Sequence, residues 1–222
     1  MNKRLDITLG RLLALLIGVP LALLAIGAFA LDAVAFAGQG SYPVRLALPA
    51  PGHLVTVSVQ SGDMRVSQGP DGRLGLIGTA RYGLVRSRVA WHVGKSGLIV
   101  DSRCLFATWI CEFNYRVVLP AGLAVSLSDS SGTITATGLT EADMTVSSDS
   151  GDITLSFSKV PDRVTVDDSF GDIMVVLPAG HTTYKVNAQA PLGMSSVTVP
   201  ASSSSVHVIT VTDQSGNISV TN

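Results

Sequence analysis

Beyond residue 54 apolar and polar residues alternate with a period of two in short runs, and the runs recur. In Ile153-Thr154-Leu155 the apolar side chains fall on one face and the threonine on the other, the pattern of a half-buried strand. Runs of the same kind stand at Val125-Ser126-Leu127, Met144-Thr145-Val146 and Val164-Thr165-Val166. Each leads into a corner: Ser131-Gly132-Thr133-Ile134, Ser150-Gly151-Asp152-Ile153 and Phe170-Gly171-Asp172-Ile173, with glycines 19 and then 20 residues apart. An outlying copy, Ser61-Gly62-Asp63-Met64, lies far upstream, and Ser215-Gly216-Asn217-Ile218 nearly closes the chain. Glycine supplies backbone conformations that a Cβ resists, so each corner reads as a tight turn. Two short strands and two corners in about 20 residues make one coil of a β-solenoid, with Ile134, Ile153 and Ile173 stacked as an inward ladder. A sandwich of β-hairpins also yields short strands at regular spacing, but only stacking accounts for a repeated sequence.

Upstream the repeat is looser. Strands are expected at Leu54–Val59, Leu74–Ile77, Val89–Val93, Gly97–Asp101 and Tyr115–Leu119. Trp91, Trp109, Tyr82, Phe106, Phe113 and Tyr115 all fall in this part. Two roles compete for them: closing the open end of the coil stack, or a sugar-stacking surface. Downstream, Leu177-Pro178-Ala179-Gly180 echoes Leu119-Pro120-Ala121-Gly122, and Leu192-Gly193-Met194 reads as a degenerate corner. Strands at Thr183–Val186, Val206–Val211 and Asn217–Val220 would finish the stack, leaving an exposed strand edge at the C-terminus.

The first residues follow a different pattern. Lys3, Arg4 and Arg11 precede Leu12 to Leu31, a run without a charge and long enough as a helix to span about 30 Å. The expected organisation is a cytoplasmic N-terminus at 1–11, a transmembrane signal anchor at 12–31, a breaker-rich juxtamembrane linker at 32–53 and an exported β domain at 54–222. On this reading the chain is a single-pass plasma-membrane protein with its β domain extracytoplasmic. Ala28-Phe29-Ala30 and Ala35-Phe36-Ala37 offer the competing possibility of a cleaved signal peptide, against which the apolar run is long.

Composition narrows the chemistry. Charged residues make up 14% of the 222 and the net charge is −1, so no nucleic-acid partner is implied. The charge is unevenly placed: seven basic residues against Asp101 and Glu112 between Arg73 and Arg116, then three basic and ten acidic residues from Val117 onward. The basic segment could meet anionic headgroups or cell-wall polymers, or form ordinary solvated β-faces. Cys104 and Cys111, the sole cysteines, are expected to form a disulfide outside the cell. Gly94-Lys95-Ser96 lacks the earlier glycine of a phosphate loop, and His53, His92, His181 and His207 are too scattered for a metal site. Asp152 and Asp172 occupy one repeat position, with Asp149 and Asp168 nearby. Stacked acids would need solvent or Ca²⁺ between them, and the exposed corner is the simpler account. Asn217-Ile218-Ser219 fits a glycosylation acceptor only formally. No cofactor is implied.

The Val118-Leu119-Pro120-Ala121-Gly122 lead-in, the recurring Ser-Gly-Asp-Ile-Thr-Leu unit and the N-terminal anchor together resemble the bacterial putative-adhesin family of β-strand-repeat proteins (domain of unknown function 4097). The resemblance runs from Leu54 to Val220 and is strongest between Tyr115 and Leu177. It implies an envelope-exposed, single-stranded β-helix-like domain with no catalytic residues to carry over. The expected protein is all-β, anchored by one helix, and binds or scaffolds rather than catalyses, its partner a cell-wall polymer or an envelope protein. An accessory or sensory subunit of an envelope-stress system is the alternative. A carbohydrate-active enzyme is a third reading, without a visible acid–base pair.

Overall fold

In the computed structural model the described residues are 17–24, 27, 38–50, 52–69, 72–95, 97–105 and 110–222. The cytoplasmic segment 1–11 and most of the expected span 12–31 lie outside them, as do Phe106 and Trp109. Residues 17–24 and 27 are helical. Among the described residues no helix is long and apolar enough to cross a membrane.

The chain enters through β1 (Gly40–Pro49) and then winds as two-strand coils. β2 (Leu54–Val59) turns into β3 (Met64–Gln68), and after β4 (Arg73–Tyr82) and β5 (Arg88–Val93), β6 (Gly97–Arg103) turns into β7 (Cys111–Leu119). Five more coils follow: β8 (Ala124–Asp129) with β9 (Ile134–Leu139), β10 (Asp143–Ser148) with β11 (Ile153–Phe157), β12 (Arg163–Phe170) with β13 (Ile173–Val176), β14 (Lys185–Gln189) with β15 (Ser195–Val197), and β16 (Val208–Ser215) with β17 (Ile218–Thr221). The first strand of every coil joins one sheet and the second strand joins the other. All coil-to-coil pairings are parallel, as a solenoid requires and a hairpin sandwich forbids.

The register confirms the inward ladder. Met64, Ile134, Ile153, Ile173 and Ile218 are direct cross-strand neighbours, and a second row joins Val66, Ala136, Leu155, Val175 and Val220. The other sheet answers with Val55, Val125, Met144, Val164 and Ile209. All are buried in one continuous core. Each Val, Leu, Ile or Met among them contributes about 1.5–3 kcal/mol by leaving water, but only when a coil lies on either side.

The order of the coils in space departs from their order in sequence. The eight-stranded sheet runs β14-β16-β12-β10-β8-β2-β6-β5 and the nine-stranded sheet β1-β4-β7-β3-β9-β11-β13-β17-β15. The first coil is therefore inserted between the second and third, and the last coil lies inside the one before it. This corrects the expected C-terminal edge: β16 and β17 are paired on both sides, and the open edges at this end of the stack are β14 and β15.

The domain also begins earlier than the linker reading of 32–53 places it. Gly40–Pro49 forms ten register pairs with β4, from Gly40↔Tyr82 to Pro49↔Arg73. Pro43 and Pro49 are tolerated because β1 is an edge strand with one side free of the ladder. Val44 is buried, and Leu46 and Leu48 pack on the core. A form starting at residue 51 is expected to lose about 2 kcal/mol of stability relative to one starting at residue 38, since Leu74 and Leu76 lose their cover. Thermal unfolding of the two forms checks this.

Cys104 and Cys111 are joined, with Cα atoms 6.0 Å apart. The bridge clips the end of β6 to the start of β7 across seven residues of sequence. Closing so short a loop restricts the unfolded chain by about 2 kcal/mol. Reduction, or paired Cys104→Ser and Cys111→Ser, is expected to lower the unfolding free energy by that amount in urea titration while leaving the far-UV spectrum unchanged.

Candidate binding surface

The corners predicted from sequence form one column. Gly62, Gly132, Gly151, Gly171 and Gly216 stack coil on coil, and Gly193 extends the column into the outermost coil, β14–β15. A Cβ on any of Gly132, Gly151, Gly171, Gly216 or Gly193 would overlap the carbonyl of the glycine stacked next to it. The corner acids have a structural task. Asp152 Oδ1 accepts the Asp172 N–H at 2.9 Å, and Asp172 Oδ1 accepts the Asn217 N–H at 2.9 Å. Asn217 Oδ1 accepts from Met194 N–H at 3.2 Å, and Asp63 Oδ1 from Thr133 N–H at 3.3 Å. Each side chain thus satisfies a backbone donor of the adjacent coil. Among the described residues no group of three or more His, Cys, Asp or Glu is placed to hold a metal ion.

A second set of acids was not anticipated. Asp129, Asp168 and Asp213 stand three residues before Gly132, Gly171 and Gly216, and they point inward, at most 4% exposed. Asp168 and Asp213 are cross-strand neighbours. One oxygen of each accepts a backbone N–H, from Ser131, Ser169 and Ser215 respectively, at 2.8–3.1 Å. The other oxygen has no hydrogen-bond partner. Burial pushes Asp129 up to about 6, partly offset by the Ser131 and Ser130 N–H groups, with Asp63 and Asp149 adding repulsion. Burial raises Asp168 and Asp213 in the same direction. The signal was in the sequence as Asp-x-x-Gly, but an aspartate ordinarily reads as surface. Asp168, expected at an exposed corner, is instead buried.

Outward, the eight-stranded sheet presents two aligned rows of short polar side chains. Thr56, Ser126, Thr145, Thr165, Thr210 and Asn187 form one; Ser58, Ser128, Ser147, Asp167, Thr212 and Gln189 form the other. Neighbours in a row are one strand spacing apart, about 4.8 Å. The result is a lattice of hydroxyls and amides with one carboxylate, Asp167, and it ends at Ile99 and Asp101 of β6.

The aromatics divide. Phe113 and Tyr115 are buried with ring centroids 6.0 Å apart, and the Tyr115 hydroxyl shares a hydrogen bond with Ser102 Oγ at 3.0 Å. Burial raises Tyr115 to about 12. Trp91 lies on the edge strand β5 at the open end of the stack and is half exposed. It lines an open groove of about 540 Å³ between β1 and β5, with Tyr42, Arg45, Arg86 and Arg88.

Parallel two-strand coils, a glycine column and side-chain caps between coils define a β-solenoid repeat protein. Residues 123–221 match the family described as Toastrack DUF4097. No curated protein matches the chain. The chain is similar to the crystal structure of a "putative cell adhesion protein" from Clostridium sporogenes, with a TM-score of 0.58 over 82% of this chain and 99% of that one. The identity is 12%, so the likeness is one of fold. A "putative adhesin" from Bacteroides fragilis covers 81% of this chain and 97% of its own at 12% identity, with a TM-score of 0.39.

Proposed function

We propose that the chain is a non-catalytic binding module displayed on the cell envelope, its solenoid held outside the plasma membrane by a single N-terminal helix. The observation that carries the reading is the pair of in-register Thr/Ser rows on the eight-stranded sheet. A flat lattice of hydroxyls on a rigid scaffold suits many weak, repeated contacts to an extended polymer, where affinity comes from number. The charge-free run from Leu12 to Leu31 behind three cations supports the anchor, and the disulfide supports an oxidising compartment. The fold shared with the Clostridium sporogenes protein described as a "putative cell adhesion protein" supports the same role.

The test compares the full chain with a soluble form starting at residue 38 for retention on native envelope preparations. Capture of the same wall polymer or surface protein by both forms supports the reading. Turnover of a cell-wall glycan, abolished by changing one buried acid, overturns its non-catalytic part. A second reading, an accessory subunit of a membrane signalling system, draws on the uncapped coil at β14 and β15. There Leu192 is 79% exposed and Met194 74%, an apolar end suited to a protein partner. Recovery of a membrane protein by the full chain alone would favour it.

A further inference from the structure

We propose that the groove between β1 and β5 binds an acidic glycan, a sugar chain carrying carboxylate or phosphate groups. The proposal rests on the envelope-binding role above and adds to the polar rows a second, charged site. β1 and β5 are the edges of the two sheets at the same end of the stack, so the gap between their inner faces is not roofed by another coil. Trp91 is in register with the buried Val100, hence on the inner face, and yet is 53% exposed. Arg86 stands in the groove beside Tyr42, while Arg45 and Arg88, in register with the exposed Ile77 and Arg103, edge its mouth from the outer faces of their strands. None of the three has an ion-pair partner among the described residues, and no carboxylate among those residues lines the groove.

The arrangement is built rather than incidental. The Arg86 guanidinium lies 4.1 Å from the centroid of the Tyr42 ring, and the Tyr42 hydroxyl donates to the Ser87 carbonyl at 2.9 Å. These contacts fix the approach to β5 against β1 and hold one cation oriented before any ligand arrives. A guanidinium fork matches carboxylate or phosphate in two hydrogen bonds, and an exposed indole offers a flat face for the C–H side of a sugar ring. The volume falls within the ~300–1,000 Å³ usual for small-ligand sites. Because the groove is open along its length, it suits a ring stacked from solvent better than an acyl chain, which needs cover on all sides.

The full chain is titrated with oligogalacturonate, with dextran phosphate, with neutral dextran and with phosphatidylglycerol vesicles. Expected is binding to oligogalacturonate, dextran phosphate or both, absent with neutral dextran and weakened by salt. Trp91→Ala and Arg86→Gln, both at exposed positions, should each weaken binding at least tenfold while a native far-UV spectrum and a cooperative unfolding transition are kept. Acidic-glycan binding that survives both variants overturns the groove assignment and leaves the envelope-binding role standing. Binding to vesicles and to neither acidic glycan overturns the ligand class. Failure with both glycans overturns the proposal, and only if native envelopes also fail to retain the chain does the wider role fall with it.

Discussion

Gly151→Ala is expected to destabilise the domain by about 3–5 kcal/mol, more than most single core truncations. Two costs coincide at this residue. Its φ is +129°, in a region that side chains with a Cβ rarely enter. The new methyl group would also overlap the carbonyl of Gly132, a backbone atom held by its own coil. Relief by a local shift is blocked, because Gly171 stacks on Gly151 in the same way and the movement would pass along the column. The Gly151 N–H donates to the Phe170 carbonyl at 2.7 Å, so a shift would also stretch the corner bonds. Gly122→Ala separates the two costs. That glycine has φ +78° but nothing within 4 Å of where a Cβ would lie, so only the conformational penalty of about 1–2 kcal/mol remains. Urea unfolding of both variants reads the difference. Equal losses would mean that turn conformation alone, and not coil stacking, demands glycine at the corners.

The corners were legible because stacking forces each copy to solve one steric problem in one way. The inward ladder through Ile134, Ile153 and Ile173 was legible for the same reason, and even the degenerate copy at Gly193 falls in the column. Coil order was not legible. Every rung offers similar valines and isoleucines to the next, so alternation within a strand carries no information about which coil lies beside it. The insertion of β16 and β17 beneath β14 and β15 is a property of the whole stack. β1 was hidden by its own prolines and glycines, which mark loops in a central strand but are harmless at an edge. The groove was invisible because β1 and β5 share no strand pairing; two sheets must face each other before Tyr42, Arg86 and Trp91 meet. The inward aspartates were concealed by a sound prior, that acids face water, which the repeat overrides at Asp129, Asp168 and Asp213.

Those aspartates should make the domain more stable in mild acid than at neutral pH, the reverse of common acid denaturation. Asp129 has a folded value of about 6 against an ordinary 3.8, because burial penalises its charged form. Between those two values the folded protein keeps a proton that the unfolded chain has released. The stabilisation is therefore complete below about pH 4 and is lost as pH rises through about 6. For Asp129 alone the shift corresponds to about 3 kcal/mol. Asp168 and Asp213 act in the same direction, and their charged neighbours, Asp213 and Asp152 beside Asp168 and Asp172 beside Asp213, add repulsion once ionised. Asp129→Asn keeps an oxygen to accept the Ser131 N–H but has no proton to lose. Its stability relative to the native chain is expected to improve by about 3 kcal/mol between pH 4 and pH 8. Ser148 already fills the equivalent place in the next coil, so a neutral residue is sterically acceptable there. The measurement is urea unfolding of both proteins at several pH values. Parallel curves, or a native chain that gains stability on passing from pH 4 to pH 7, would show that the inward carboxyls are already ionised and compensated in the folded state.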